Sequence, residues 1–244
     1  MKTNQKNFTI EDSKSRVDDI LSESDTSFEE LNEIPAPEKL TFKNGFYINC
    51  SSLFVDIRRS KQLTNKYKRP TLAKIYRCFI SEMVAICADS YLCRETNIQG
   101  DCVWAVFNTP SKYNIDEVFS VASKINSIRK LINKRFQKNN IDPIDIGIGL
   151  SYGRALMIKA GYYGSGINDI VYMGDVVNEA SHMCSQADTN NYKDGICVSD
   201  CFYGNLNSHN QGLLNQSYDP QTFSKVYKGN VIWDDFDKYI DKNC

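Results

Sequence analysis

Apolar residues follow two different spacings along this chain. Residues 45–57 (GFYINCSSLFVDI) and 102–107 (CVWAVF) are short runs rich in Val, Ile, Phe and Trp, which is typical of strands in a buried sheet. In residues 69–90 the apolar positions instead recur every three or four residues, which places them on one face of an α-helix. The residues on this face are Leu72, Ile75, Phe79 and Met83. The chain therefore alternates between strands and amphipathic helices.

The predicted elements follow one another as strand, helix, hairpin, helix, hairpin, helix and two short strands. Strands are predicted over 45–57, near 196–198 and over 225–235, hairpins over 93–107 and 143–162, and helices over 69–90, 116–139 and 174–187. The first hairpin turns at Gln99-Gly100, and the second is expected to turn near Tyr152-Gly153-Arg154. This order predicts an α+β, ferredoxin-like fold with one sheet and helices on a face.

Residues 1–40 differ from the rest because they are polar and acidic and end in the Pro-rich segment IPAPEKL. They predict an N-terminal helical arm, and residues 41–244 form the main domain. Thr26 followed by Glu29 fits a capping box before a short helix. The few apolar anchors of the arm are Ile20, Leu21, Phe28 and Leu31.

Composition excludes several classes of protein. The 244 residues carry a net charge of −1, so no global basic field indicates a nucleic-acid partner. No apolar run approaches the roughly 18 residues that span a bilayer, and the first residues hold no apolar core of a secretory signal. The nine cysteines lack paired CxxC spacing, which argues against a zinc site and a disulfide scaffold. We therefore expect a globular cytoplasmic protein without membrane insertion.

Two aspartates stand at the edges of the predicted strands. Asp56 lies near the end of residues 45–57, and Asp101 directly precedes residues 102–107. A carboxylate beside a buried strand is costly unless it is paired or binds a cation. At neighbouring strand ends the two carboxylates could hold hard divalent cations against phosphate. The alternative is that each one caps a turn.

The third predicted helix carries an amide and an imidazole one turn apart. Asn178 and His182 share a face because they are four residues apart, and they suit a ribose and a phosphate oxygen. The alternative is an exposed polar pair on a surface helix. Asp175 is the expected N-cap, and the Gly-rich loop of residues 162–175 is a weak signal for a ligand cradle.

The residues that follow Asp56 are a further candidate for phosphate binding. Arg58, Arg59 and Ser60 lead from the strand into a helix. Backbone N–H groups at the start of a helix can bind phosphates, so these residues are predicted to contact a substrate phosphate.

These segments resemble the motifs of class III nucleotidyl cyclases, in the family's order. LFVDIRRS and IQGDCVWAVF resemble the two metal-aspartate motifs, and KVYKG resembles the late strand whose lysine, here Lys228, reaches the triphosphate. GDVVNEASH resembles the Gly-x-x-Val-Asn-x-Ala-x-Arg helix, except that His182 stands where arginine is usual. Longer blocks such as NGFYINCSSLFVDIRRS and RPTLAKIYRCFISE are similar to one branch, the pyrimidine cyclases of bacterial Pycsar antiphage systems.

The resemblance implies conversion of UTP or CTP to 3′,5′-cyclic UMP or cyclic CMP plus pyrophosphate, as a second messenger for antiphage defence. Asp56, Asp101 and the carbonyl of Ile57 would hold two divalent cations, Mn²⁺ or Mg²⁺. Asn178 would orient the ribose, and His182 would stabilise the transition state. The family combines the aspartates and the asparagine helix from opposite subunits, so a homodimer with shared active sites is implied. A separate cyclic-nucleotide-activated effector protein would receive the product.

The same resemblance locates the base pocket. Asn97 stands four residues before Asp101, where adenylate and guanylate cyclases carry Lys or Glu, and Val171 stands seven residues before Asn178, where they carry Asp or Cys. A purine edge against Val171 would lose a hydrogen bond, and the adjacent Tyr172 is expected to fill space that a purine needs. The residues favour neither UTP nor CTP over the other. An adenylate or guanylate cyclase of the same fold, or a catalytically silent nucleotide-binding domain, would also fit these motifs.

Overall fold

The computed structural model describes residues 7–24, 27–188, 190 and 194–244. Within them the helices are α1 Ile10–Leu21, α2 Ser60–Lys66, α3 Arg69–Asp89, α4 Lys112–Lys138, α5 Asp175–Gln186, α6 Asp200–Asn205, α7 Ser208–Gly212 and α8 Asp234–Asn243, and a short 3₁₀ helix spans Pro37–Lys39. The strands are β1 Phe28–Glu30, β2 Gly45–Ile57, β3 Cys93–Gln99, β4 Cys102–Asn108, β5 Ile146–Tyr162, β6 Ile167–Met173, β7 Ile196–Ser199, β8 Asn215–Tyr218 and β9 Lys225–Gly229. Backbone contacts divide the chain into a larger unit, 50–153 with 176–244, and a smaller unit, the described residues up to 49 with 154–175.

The larger unit is built on a sheet with the strand order β3-β4-β2-β5-β7-β9-β8. β4 pairs antiparallel with both β3 and β2, and β9 pairs antiparallel with both β7 and β8. β5 and β7 are parallel. The predicted mixture of strands and helices around one sheet is confirmed.

One face of this sheet packs against α3 and α4. The helical face predicted for residues 69–90 is confirmed, because Ile75, Phe79 and Met83 are fully buried while Leu72 is half-buried. Burial of such side chains stabilises the fold by roughly 1.5–3 kcal/mol each. The residues of β2 and β4 in this core are Leu53, Val55, Ile57, Val103, Ala105 and Phe107. Because successive strand residues face opposite sides, the even-numbered residues of both strands lie on the other face.

A β-bulge at the start of β3 decides which of its side chains reach that other face. Cys93 pairs with Phe107 but Glu95 pairs with Val106, so β3 contains one extra residue here. Cys93 therefore packs on the core, whereas Glu95 and, two residues on, Asn97 face the opposite side. The bulge thus places the odd-numbered residues Cys93 and Glu95 on opposite faces of the sheet.

The predicted turn of the second hairpin is wrong. Residues 152–154 lie inside the continuous strand β5, where Gly153 does not adopt a positive φ. The chain instead reverses at residues 163–166 and returns as β6. Gly164 and Gly166 have φ of 75° and 77°, so the glycines of the predicted ligand cradle form a hairpin turn.

The predicted strand over 225–235 is too long. β9 ends at Gly229, and the chain then forms α8. This helix is held by one buried apolar residue, Ile240, and by Lys130 of α4, whose Nζ lies 2.9 Å from a carboxylate oxygen of Asp237. The spacing of Phe236, Tyr239 and Ile240 is helical, but the first residues of α8 fall inside the predicted strand.

In the smaller unit, β1 pairs in parallel with residues 45–47 of β2, and β6 pairs with the second half of β5. Gly45 permits the first pairing, since a Cβ there would lie 2.8 Å from the ring of Phe28. The arm contains the helix α1, which lies before the predicted short helix and buries none of its residues. Thr26 lies outside the described residues, and Glu29 belongs to β1 rather than to the predicted short helix. The domain boundary at residue 40 stays a prediction.

Candidate functional site

The structure brings the carboxyl groups of Asp56 and Asp101 together. Asp56 lies near the end of β2 opposite Cys102, and Asp101 precedes Cys102 in the β3–β4 turn. Gly100, with φ of 65°, lets the chain turn tightly at this point. Burial, together with the neighbouring Asp101 carboxylate, raises the pKa of Asp56 to about 6 in spite of the opposing charge of Arg58. The two strand ends therefore concentrate negative charge in a partly desolvated position.

This carboxylate pair fits a divalent cation. Mg²⁺ and Mn²⁺ prefer oxygen ligands, and in nucleotide enzymes one or two carboxylates bind the ion while substrate phosphates supply further ligands. Across the described residues, no group of three or more His, Cys, Asp and Glu side chains is placed to hold a metal ion. The side chain of Ile57 is buried in the core, so only its backbone carbonyl is left to join Asp56 and Asp101.

Arg58 turns back toward the protein. Its Nη2 lies 3.3 Å from Oδ2 of Asp56 and 3.4 Å from Sγ of Cys184 in α5. Its backbone N–H donates to the carbonyl oxygen of Asp145 at 2.8 Å. This N–H therefore already has an acceptor with which a phosphate must compete, and the phosphate contact predicted for Arg58 stays a prediction.

Arg59 and Ser60 form the entry to α2. Arg59 has a left-handed φ of 56° and directly precedes the helix, which begins at Ser60. The Arg59 guanidinium bonds to Asp188 at 2.7 Å and to Asp145, and these two carboxylates raise its pKa. The side chain of Arg59 thus links the end of α5 to the start of β5. The phosphate contacts predicted for Arg59 and Ser60 stay predictions, and Arg59 has internal partners with which a phosphate must compete.

Asn97 shares a sheet face with Asp56. In the strand register Asn97 is opposite Trp104, and Trp104 is opposite Phe54, so the three residues form a row across β3, β4 and β2. The rings of Phe54 and Trp104 stack with centroids 5.5 Å apart and planes 5° apart. Asp56 follows two residues after Phe54 on the same side. We call this side of the sheet, which carries Phe54, Asp56, Trp104 and Asn97, the site face.

The Asn97 amide is held by a neighbour on its own strand. Nδ2 of Asn97 donates to Oε1 of Glu95 at 2.7 Å. Both side chains are half-buried on the site face. The hydrogen bond to Glu95 therefore fixes the orientation of the Asn97 amide, which the sequence motif predicts to contact the nucleotide base.

Val171 and Tyr172 lie in the smaller unit on β6. Val171 pairs with Ile158 and its residue is 39% exposed, whereas Tyr172 pairs with Met157 and is 8% exposed. Neighbouring strand residues point to opposite sides, so Tyr172 does not line the surface that Val171 presents. The expectation that Tyr172 fills space beside Val171 is wrong for this reason.

Asn178 and His182 lie one turn apart on α5, which begins at Asp175 itself rather than after it. α5 packs on the site face through Ala180 and Cys184, which cluster with Phe54. Asn178 is exposed, and the side chain of His182 is half-buried.

His182 has an acidic partner that the motif did not indicate. Its Nε2 bonds to Oδ2 of Asp219, whose side chain is fully buried in the β8–β9 loop. Oδ1 of Asp219 accepts the backbone N–H of Gln221 at 2.7 Å and of Thr222 at 3.3 Å. An ionised carboxylate only accepts hydrogen bonds, so Nε2 of His182 carries a proton and the ring orientation is fixed.

Lys228 lies on β9, half-buried between Cys197 of β7 and Asn215 of β8. β5 and β7 separate β9 from β2 in the sheet. Three strand spacings amount to roughly 14 Å, so the structure does not bring Lys228 next to Asp56 in one chain.

The sequence analysis missed three residues that shape the site: Glu95, Trp104 and Asp219. Glu95 could have been identified from the period-two pattern Glu95, Asn97, Gln99, which predicts three polar side chains on one face of a strand. The pairing of His182 with Asp219 joins positions 37 residues apart and leaves no local signal.

The described residues contain no helix that combines the length and apolar character needed to cross a bilayer.

Known proteins share this architecture and much of the sequence. A protein named uridylate cyclase from Gulbenkiania mobilis is 40% identical over 245 residues, which covers 94% of this chain and 95% of that protein. A uridylate cyclase from Treponema porcinum is 38% identical over 229 residues, which covers 94% of this chain and 79% of that protein. The fold is similar to that of the adenylyl cyclase CyaB from P. aeruginosa, with a TM-score of 0.64 and 20% identity over 76% of this chain and 95% of that one.

A family match covers the segment that carries the site. Residues 43–223 match the family described as "Adenylate and Guanylate cyclase catalytic domain". The matched segment includes the carboxylate pair, the Asn97 row and α5, and the resemblance expected from the motifs is confirmed. This chain is a nucleotidyl cyclase that belongs to the adenylate and guanylate cyclase catalytic domain family, the class III nucleotidyl cyclases.

Proposed function

We propose that this cyclase acts on a pyrimidine nucleoside triphosphate, UTP in preference to CTP, and forms 3′,5′-cyclic UMP and pyrophosphate. The observation that carries the proposal is the neutral amide of Asn97 on the same sheet face as the Asp56–Asp101 pair. An amide satisfies the small polar edge of a pyrimidine, whereas the apolar Val171 leaves groups of a purine edge unpaired. The names of the two uridylate cyclases support UTP as the substrate.

The reaction needs a nucleophile, an electrophile and a leaving group in line. The ribose 3′-oxygen forms a bond to the α-phosphorus, the bond from that phosphorus to the pyrophosphate oxygen breaks, and the 3′-hydroxyl proton goes to solvent. Asp56, Asp101 and the carbonyl of Ile57 are the groups that hold divalent cations, and Asn178 orients the ribose. Such cations, when bound, acidify the 3′-hydroxyl and offset charge on the phosphates.

His182 takes the position of the family's usual arginine. Its Nε2 proton is committed to Asp219, so only Nδ1 remains for the substrate. Nδ1 donates a hydrogen bond to a phosphate oxygen only when the ring is the imidazolium ion. In this proposal the imidazolium ring takes the place of the arginine charge found elsewhere in the family.

Two copies of the chain form the complete enzyme in this proposal. The roughly 14 Å between the strands of Asp56 and Lys228 supports a site in which one subunit supplies the aspartates and the other supplies Asn178, His182 and Lys228. Each dimer then contains two shared sites. Arg58, Arg59 and Ser60 complete the phosphate side in the subunit that carries the aspartates.

The product is a second messenger in this proposal. The similarity of long sequence blocks to the Pycsar pyrimidine cyclases supports a role in antiphage defence in the cytoplasm. A separate effector protein then binds the cyclic pyrimidine nucleotide.

Competition among the four nucleoside triphosphates in one tube tests the substrate. With Mn²⁺ and purified protein, we expect UTP to be used at least about a hundredfold better than ATP and GTP, which equals roughly 2.7 kcal/mol of transition-state binding. Mass spectrometry identifies each cyclic product. Comparable kcat/KM values for ATP and the best pyrimidine would contradict the proposal and indicate an adenylate cyclase.

A further inference from the structure

We propose that Glu95 selects uracil over cytosine by fixing the direction of the Asn97 amide. This inference deepens the proposed function and rests on it, because it concerns the choice between two pyrimidines at the same site. Glu95 is a positioning residue here, since it acts on the base through Asn97.

The direction of the amide follows from hydrogen-bond chemistry alone. An ionised carboxylate has no proton to donate, so the group of Asn97 that lies 2.7 Å from Oε1 of Glu95 must be the NH₂ end. The amide oxygen of Asn97 then points away from Glu95. It is the acceptor that Asn97 presents to a bound base.

The strand geometry keeps this arrangement on the site face. Glu95 and Asn97 are two residues apart on β3, so both point to the same side. The bulge between Cys93 and Glu95 lets Cys93 face the core while Glu95 and Asn97 face the site. Trp104 is directly opposite Asn97 on the neighbouring strand, so its ring and the amide lie on the same face of the sheet.

An acceptor at this point discriminates between the two pyrimidines at ring position 3. Uracil carries an N3–H donor there, which pairs with the Asn97 oxygen. Cytosine carries an unprotonated N3, so two acceptors would face each other and the hydrogen bond would be lost. Without Glu95 this constraint on the amide is lost, so its NH₂ group can also face the base, which suits cytosine.

Two substitutions at Glu95 test this inference because they change the hydrogen-bond role in different ways. Glu95→Gln can accept from or donate to Asn97, so both directions of the amide become accessible. Glu95→Lys can only donate, which turns the Asn97 oxygen away from the base. We expect the ratio of cyclic UMP to cyclic CMP, measured from equimolar UTP and CTP, to fall at least tenfold in Glu95→Gln and further in Glu95→Lys.

The product ratio separates selection from structural damage. A purely structural role of Glu95 would lower both products together and leave the ratio unchanged. Glu82→Gln is the matched control, since it makes the same change at a half-buried glutamate on α3. Its product ratio should equal that of the wild type.

Each outcome decides one of the two proposals. An unchanged ratio in both Glu95 variants would overturn the inference while leaving the pyrimidine cyclase intact. Loss of all products in both variants would overturn it too, because Glu95 would then serve catalysis as a whole, and a wild-type preference for CTP would refute the uracil assignment. A wild-type enzyme that uses ATP or GTP best would instead refute the proposed function itself.

Discussion

Asp219 has the most constrained environment of the residues around the site. Removal of its carboxyl from water raises the pKa, but the N–H groups of Gln221 and Thr222 and the ring of His182 outweigh that effect and lower it to about 2. The ordinary value in an unfolded chain is about 3.9. A carboxyl with a lowered pKa contributes stability above the unfolded pKa, and that stability is lost as the pH falls toward the folded pKa. For Asp219 the loss occurs between about pH 4 and pH 2.

Asp219→Asn should therefore destabilise the fold at neutral pH more than in acid. We expect a loss of about 1–3 kcal/mol in the free energy of unfolding at pH 7, because a charged acceptor of several hydrogen bonds is replaced by a neutral one. The difference from the wild type should shrink as the pH is lowered from 5 to 3. Urea unfolding at each pH provides the measurement.

The control for Asp219 is Asp234→Asn, which removes an exposed carboxylate paired with Lys238. Its effect should stay within about 0.5 kcal/mol at every pH. Equal losses for Asp219→Asn at pH 7 and pH 3 would contradict the linkage between its ionisation and folding.

The sequence identifies those site residues that lie in contiguous motifs. It does not identify residues that reach the site only through tertiary contacts. The proximity of Asp56 and Asp101 was predicted because both flank paired strands, and the structure confirms it. Asp219 and the internal partners of Arg59 were not predicted, because distant segments supply them. The catalytic and substrate-binding roles of the site residues stay predictions.

Among the elements, α5 and β5 make an unusually close contact. A Cβ on Gly149 would lie 2.0 Å from the backbone nitrogen of Cys184 and 2.3 Å from the carbonyl oxygen of Ala180. A Cβ on Gly147 would lie 2.6 Å from the carbonyl oxygen of Ala187. The backbone of α5 therefore lies directly on β5, and this contact sets the position of the helix that carries Asn178.

Gly149→Ala should displace α5. We expect a loss of about 2–3 kcal/mol in the free energy of unfolding, since backbone rather than a flexible side chain must give way. Cyclase activity should fall as well, because α5 carries two site residues. Urea unfolding and the rate of cyclic nucleotide formation measure the two effects.

Gly204→Ala is the matched control within α6, where a new Cβ would meet nothing within 4 Å. Alanine is the better helix former, so this variant should be unchanged or more stable by up to about 1 kcal/mol. If Gly149→Ala behaved like Gly204→Ala, the close contact between α5 and β5 would not constrain the helix.

The prediction of helices and strands was correct where the apolar periodicity was strong. It failed at glycines, because glycine occurs both inside strands and in turns. The face of α3 was predicted from four apolar residues and is confirmed. The turn at residues 152–154 was wrong because Gly153 was taken as a turn signal, while Gly164 and Gly166 provide the positive φ that a turn needs. α8 was not predicted, although Phe236, Tyr239 and Ile240 have helical spacing, because its first residues were included in the predicted strand over 225–235.

For the whole molecule, the proposal of a shared site leads to a mixing experiment. Asp56→Ala and Asn178→Ala should each abolish cyclic nucleotide formation without unfolding the protein. In a heterodimer of the two variants, one site has both defects and the other has none. Mixing the two inactive proteins should therefore restore activity, up to about half of the wild-type value per heterodimer.

Subunit exchange must be verified in this experiment, for example by co-purification of differently tagged variants. The matched control is a mixture of Asp56→Ala with Asp101→Ala, which affects the same half of the site and should stay inactive. Activity that remains absent in the first mixture, despite exchange, would place the complete site within one subunit.

The alternation of side chains along β2, β3 and β4 has a consequence for how such enzymes diversify. Core residues and site residues occupy alternate positions of the same strands, so substitutions at one set leave the other set in place. Glu95 or Asn97 can therefore be substituted while the buried scaffold is retained, so the base preference proposed for this site can change independently of the fold.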